Sequence, residues 1–157
     1  MKQLIQQIEQ WAEERNLIKG STPEKQKFKL FEEIGELSRG INRKNIELIK
    51  DGVGDCFIAC TVLALQTDES LRPMFFKNTD LRGFKSDAYY LGQYLADAVS
   101  FDPASGSRRF FRLIGVLNAI CVNYGLTLKE CVQHAYDQIK DRKGKMIDGV
   151  FVKEEDL

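Results

Sequence analysis

Histidine is almost absent from this chain: its 157 residues contain one, His134. A di-iron helical bundle needs Glu-x-x-His twice, so that class is excluded. A Ser-His-Asp or Cys-His hydrolase would have to recruit this single ring. His134 instead falls beside the Leu128, Val132 and Ala135 positions of a helical stretch, as an ordinary packed or surface residue would. Neither a GxxxxGKS/T nor a GxGxxG segment occurs, which removes both phosphate-loop architectures. There is no surplus of charge either. Lys and Arg number 23 and so do Asp and Glu, so electrostatics alone calls for neither a nucleic acid nor a membrane partner. The uncharged run Cys56 to Thr67 falls far short of the ~20 residues that span a bilayer. The N-terminal MKQLIQQIEQWAEERN is amphipathic and charged throughout, unlike a signal peptide. Four cysteines (Cys56, Cys60, Cys121, Cys131) lie in apolar helical patterns without zinc-type spacing. The expectation is reduced core thiols in a cytoplasmic protein.

What is present is an ordinary globular composition, 43% hydrophobic and 29% charged, in a length that suits one domain over residues 1–157. Leu4, Ile5, Ile8, Trp11 and Ala12 share one face of a helix over 2–16. Thr22 is a good N-cap with Pro23 at the first helical position, opening a second helix over roughly 23–39. After a polar break at Asn42–Asn45, a third helix spans about 46–66 and is apolar all round from Cys56 onward, the mark of burial on every side. Residues 67–86 lack periodicity and read as a long loop. Further helices are predicted at about 87–100 and 107–124, with Gly125 as a C-terminal cap. A last helix opens with the capping box Thr127-Leu-Lys-Glu130. Asp148-Gly149 between two short apolar runs signals a β-hairpin. The predicted fold is all-α: an antiparallel bundle of about six helices with a small C-terminal hairpin.

The chemistry concentrates in FEEIGELSRGINRKNIELIKDGVGDCFIAC. On the second helix Glu33 and Glu36 point ~60° apart, beside the Leu30/Ile34/Leu37 stripe. Gln26 and Lys29 lie on the same flank, while Glu32 projects further toward solvent. On the third helix Asp51 and Asp55 are one turn apart, ~40° in projection. A short link makes the two helices antiparallel neighbours, which lets Glu33 and Glu36 confront Asp51 and Asp55. Four like charges in a partly dry groove either take up protons or hold a hard cation. Oxygen ligands without histidine suit Mg²⁺, Mn²⁺ or Ca²⁺. The plainer reading is a solvated acidic face on one helix and an Asp pair favouring the helix dipole on the other.

EEIGEL, followed by a short link and IKDGVGDCFIAC, resembles the MazG-like nucleoside triphosphate pyrophosphohydrolases of the all-α NTP pyrophosphatase superfamily. ERNLIKGSTPEKQKFKLFEEIGELSRGI and the closing AYDQIKDRKGKMIDGVFVKEED are similar to the compact, phage-type members. The family pattern is EExxE and then ExxD a helix later. The resemblance puts metal-binding glutamates at Glu33 and Glu36 and the aspartate at Asp55, with Glu32 as the first Glu of EExxE. The Glu of ExxD is Gly52 here, and Asp51 is the natural substitute. Such enzymes use Mg²⁺ to cleave an NTP or dNTP between the α and β phosphates, and they work as homo-oligomers, here a homodimer or homotetramer. Helix three, greasy on all sides, also asks for such cover. The resemblance implies catalytic roles for Glu32, Glu33 and Glu36, without saying which acid polarises the water. Lys29 and the cluster Lys140, Arg142, Lys143 are the phosphate-binding candidates, joined by Gln26 on the acidic ribbon. That cluster equally suits a last helical turn complementing its dipole. Trp11 and Phe28 are candidates for base stacking, although both also fit apolar core faces. The rival reading is a non-catalytic nucleotide- or protein-binding module of the same fold, with Gly52 marking decayed chemistry.

Overall fold

An apolar stripe on each of several helices has to be covered, and one helix with no polar face at all ends up at the centre. A computed structural model describes residues 1–75, 93 and 108–157. The chain is mostly helical, with a two-stranded antiparallel sheet near its C-terminus. Helix α1 covers Lys2–Glu14 and buries all five residues of its predicted face, Leu4, Ile5, Ile8, Trp11 and Ala12. It stops two residues before the predicted end because Asn16 turns the chain with φ 55°.

Helix α2, Pro23–Asn42, starts where expected: the Thr22 hydroxyl accepts the Lys25 amide at 3.3 Å, and Pro23 occupies the first turn. It runs three residues past the predicted end. Gly40 lets the α2 terminus lie against Leu48 and Ile49, and the chain reverses only at Lys44, φ 51°. Helix α3, Ile46–Gln66, is capped by Asn45, whose side chain accepts the Leu48 amide at 3.1 Å. Its residues 56–64 are all buried. That cover comes from within the chain, since α3 packs against α1, α2 and the two helices that follow. Residues 56–64 are thus covered within one chain, and the apolarity of α3 by itself asks for no second copy.

Two glycines explain the tight packing. A Cβ on Gly52 would stand 2.9 Å from Leu37 Cα, so α2 and α3 touch backbone to backbone there. The pairs Leu37–Gly52 and Ile49–Gly40 run in opposite senses, so the two helices are antiparallel. Gly54, on the opposite side, admits Cys131 and Ala135 of the last helix just as closely.

Part of the predicted loop 67–86 is folded. Leu71 is buried, and a 3-10 turn at Arg72–Phe75 brings Phe75 to within 6.2 Å of the Phe57 ring. Glu9, itself buried, anchors this turn through Arg72 at 2.9 Å and Ser70 at 2.8 Å. The rest of that loop, the predicted helix at 87–100 and the turn DPASGS lie outside the described residues, Gln93 apart. Helix α4 is Arg108–Asn123 and α5 is Leu128–Ile139. Thr127 caps α5 by accepting the Glu130 amide at 3.2 Å, while its hydroxyl donates to the Glu130 carboxylate at 2.7 Å. All four cysteines are free and buried, with Cys121 and Cys131 3.8 Å apart between α4 and α5. Among the described residues no single helix is long and apolar enough to cross a membrane.

The hairpin forms as expected. Strands β1, Gly144–Ile147, and β2, Val150–Lys153, pair with Ile147 opposite Val150. The two-residue connection needs φ > 0 at both positions for its twist to match the strands. Asp148 and Gly149 supply 49° and 78°. Its tip is tied to the start of α2: Ser21 donates to the Gly149 carbonyl at 2.7 Å, and Lys25 donates to that of Asp148.

Candidate functional site

Where α2, α3 and α5 meet the hairpin, they leave a cleft of about 330 Å³. That is within the range of small-molecule sites. Its acids are Glu32, Glu33 and Asp55, and its cations are Lys25, Lys29, Arg142 and Lys153. An apolar wall is built from Trp11, Leu17, Ile58, Val62 and Ile139, and Phe151 of the hairpin completes the enclosure. One cleft thus offers both charged and apolar lining.

The helical phase decides which predicted acids enter. Gln26 and Glu33 fall on the buried side of α2; Gln26 donates to the Ala59 carbonyl across the seam at 3.1 Å. Glu33 keeps only 10% of its side chain exposed and meets the Lys29 ammonium at 2.8 Å. Lys29 also reaches Glu32 at 2.9 Å. Burial pushes the Glu33 carboxyl above its ordinary value; Lys29 opposes this, and the charges of Glu36 and Glu32 add to it. Burial would lower Lys29, but the two carboxylates outweigh it and hold the ammonium above its ordinary value.

Asp55 comes from α3. Burial, and then repulsion from Glu33 and Asp51, push it up to about 7, against the milder pull of Lys29 and Arg142. A carboxyl so placed is poised between protonation and the arrival of a cation.

Glu36 and Asp51 go elsewhere. Glu36 is half exposed, 3.8 Å from Arg39. Asp51 faces α5, accepting from Gln138 at 2.9 Å with His134 Nε2 at 3.7 Å. The physical reason is that α3 lies between α2 and α5, so two residues ~40° apart face different neighbours. Among the described residues, no three His, Cys, Asp or Glu side chains stand together as a ready metal-ligand group. The expected four-carboxylate set is thus not gathered. Glu33 and Asp55 remain as the pair on one cleft. Two carboxylates with substrate phosphates form a usual Mg²⁺ environment, and Mn²⁺ shares the same oxygen chemistry. The donor set fits one such ion in that reduced form.

Of the predicted basic cluster, Arg142 alone lines the cleft. Lys140 turns away to Asp137 at 2.8 Å, and Lys143 is exposed. Trp11 lines the cleft edge but is held in the core, its Nε1 donating to the Ile139 carbonyl at 3.0 Å. Phe28 is 72% exposed, packed edge-on against Phe31 and away from the cleft. The core reading of Phe28 is therefore wrong, and the cleft gives no support to its stacking role. Sequence reasoning missed Lys25 and Lys153, whose positions depend on the hairpin folding back on α2. It also missed Arg15, whose side-chain hydrogen-bond acceptors are 125 and 127 residues away. The Asp-Gly turn was the available signal for the first two; nothing local announces the third.

No protein-family profile matches the chain, and no solved structure matches it. Over 66 residues it is 53% identical to a protein of Haemophilus phage HP1 (strain HP1c1), described as an uncharacterized 18.2 kDa protein in the rep-hol intergenic region. The match takes in 42% of this chain and 40% of the phage protein's length.

Proposed function

We propose that this chain is a Mg²⁺-dependent nucleoside triphosphate pyrophosphohydrolase of the MazG-like kind, converting an NTP or dNTP to the monophosphate and pyrophosphate. In this reading its helices complete an antiparallel bundle of about six, and two or four copies associate, as the resemblance implies. The observation that carries it is the pairing of Glu33 and Asp55 on one cleft that also gathers four cations. Burial raises both carboxyls and repulsion from neighbouring acids adds to it; a divalent ion would offset both, and the surrounding Lys25, Lys29, Arg142 and Lys153 suit a polyphosphate.

Glu33 and Asp55 would hold Mg²⁺, which supplies charge neutralisation at the triphosphate oxygens and acidifies a bound water. Lys29 leaves Glu33 for a phosphate oxygen, a short movement for a half-exposed ammonium on a four-carbon stem. Arg142 grips the leaving pyrophosphate through its planar fork. Glu32 is at the mouth with 59% of its side chain exposed and is not needed to hold the ion. It takes the proton as water adds to the α phosphorus and the bond to the α–β bridging oxygen breaks. The apolar wall receives the nucleoside.

The test is a panel of NTPs and dNTPs with and without Mg²⁺, assayed for pyrophosphate. Metal-dependent release, abolished by Glu33→Gln, supports the enzyme. Gly52 favours a second reading, because its contact with Leu37 leaves no room for any side chain at the family's fourth acidic position. A non-catalytic nucleotide-binding module would then bind the same panel without turnover.

A further inference from the structure

Helix α5 ends inside a clamp supplied by α1. A helix leaves its last carbonyls without intrahelical partners, and they carry partial negative charge. Here Trp11 donates to the Ile139 carbonyl at 3.0 Å. One residue beyond α1, Arg15 donates to the Lys140 carbonyl at 2.8 Å through Nη2, and to the Arg142 carbonyl at 2.9 Å and 3.1 Å through Nη2 and Nε. Its guanidinium lies over the Trp11 ring, 5.1 Å from the centroid, and only 17% of its side chain is exposed. The arrangement is a planar fork gripping two carbonyls of one short segment. Lysine cannot reproduce it, having a single ammonium centre.

Arg15 is absent from the cleft lining, whereas Arg142 is part of it. The segment they share, residues 140–143, joins α5 to β1. It therefore also sets where the hairpin wall begins. We propose that Arg15 is a positioning residue. By fixing the backbone of residues 140–142 it aims the Arg142 guanidinium into the cleft, so that α1 sets the strength of polyphosphate binding without touching the ligand. This rests on the polyphosphate reading of the cleft.

The rival is a staple that merely joins α1 to α5, and two measurements separate them. Inorganic tripolyphosphate is titrated calorimetrically into the wild type, Arg15→Met, Arg15→Lys, Arg142→Met and the Arg15→Met/Arg142→Met double variant. Losing one charge-assisted contact costs about tenfold in affinity, so each Met single variant weakens binding by about that factor. The double variant is no weaker than Arg142→Met alone, because Arg15 acts only through Arg142. Arg15→Lys retains charge but loses the fork, and falls between wild type and Arg15→Met. Amide hydrogen exchange on the same proteins rises about tenfold or more at 140–143 in Arg15→Met while the core of α3 is unchanged.

Multiplying losses in the double variant, or an unchanged affinity in Arg15→Met beside a lower melting temperature, would overturn the proposal. If the wild type does not bind tripolyphosphate, the polyphosphate reading fails by itself. The exchange pattern then decides the clamp: a rise confined to 140–143 upholds it as a local brace, and a uniform rise or none refutes it.

Discussion

A residue that costs the fold stability is best explained by what it does, and Asp55 allows the cost to be measured. Its carboxyl is raised from 3.8 to about 7, first by burial and then by the charges of Glu33 and Asp51. Below pH 3.8 the side chain is protonated in both folded and unfolded chains, and there is no penalty. Between 3.8 and about 7 the unfolded chain has released the proton and the folded one retains it, so stability falls as pH rises through that window. Above about 7 the full penalty is present. At about 1.36 kcal/mol per pH unit, the gap corresponds to about 4 kcal/mol. Asp55→Asn removes the charge and keeps the shape. It should therefore stabilise the protein by roughly 2–4 kcal/mol at pH 8, after allowing for a buried amide's own desolvation. At ~2–4 °C per kcal/mol for a chain of this size, the melting temperature rises by about 4–16 °C. At pH 5 the gain shrinks to less than half. Differential scanning fluorimetry from pH 5 to 9, with and without Mg²⁺, reads the effect. Mg²⁺ should raise the wild-type melting temperature at pH 8 and leave Asp55→Asn unmoved. A variant that melts lower than wild type at pH 8, or a shift that does not vary with pH, would refute the reasoning.

Three further outcomes follow from the same geometry. Gly52→Ala places a methyl 2.9 Å from Leu37 Cα, forcing α2 and α3 apart at a cost of ~1–3 kcal/mol; urea denaturation checks it, and an unchanged midpoint contradicts it. Lys29→Met frees Glu33 and Glu32 of their counter-ion, so Mn²⁺ binding without nucleotide strengthens about tenfold while tripolyphosphate binding weakens; calorimetry measures both, and movement in the same direction would be a failure. Gly149→Ala strains a turn residue at φ 78° by ~1 kcal/mol, seen as faster exchange of the β1–β2 amides, with the α3 amides as the unchanged reference.

Elements with a local signature could be read from the chain. The α1 stripe, the caps at Thr22 and Thr127, the all-round apolarity of α3 and the Asp-Gly turn each follow from short-range stereochemistry. The site was legible only in part, because convergence is a tertiary property. Helical spacing placed Glu33 and Glu36 on one flank but could not say that the α2–α3 contact would bury Glu33 and leave Glu36 with Arg39. Asp51 and Asp55 share a side of α3, yet α3 lies between α2 and α5, and Asp51 is taken by Gln138 of α5. Gly52 looked like a missing ligand; its contact with Leu37 makes it a packing residue. Arg15 had no local sign, since all its acceptors lie on the far end of the chain.

The most direct measurement of the central claim is a titration of Mn²⁺ by electron paramagnetic resonance in the presence of a non-hydrolysable NTP analogue. The account predicts a tightly bound ion in the wild type that is lost in both Glu33→Gln and Asp55→Asn, while each variant remains folded by circular dichroism. Mn²⁺ binding that survives either substitution, or that is absent from the wild type, would contradict it.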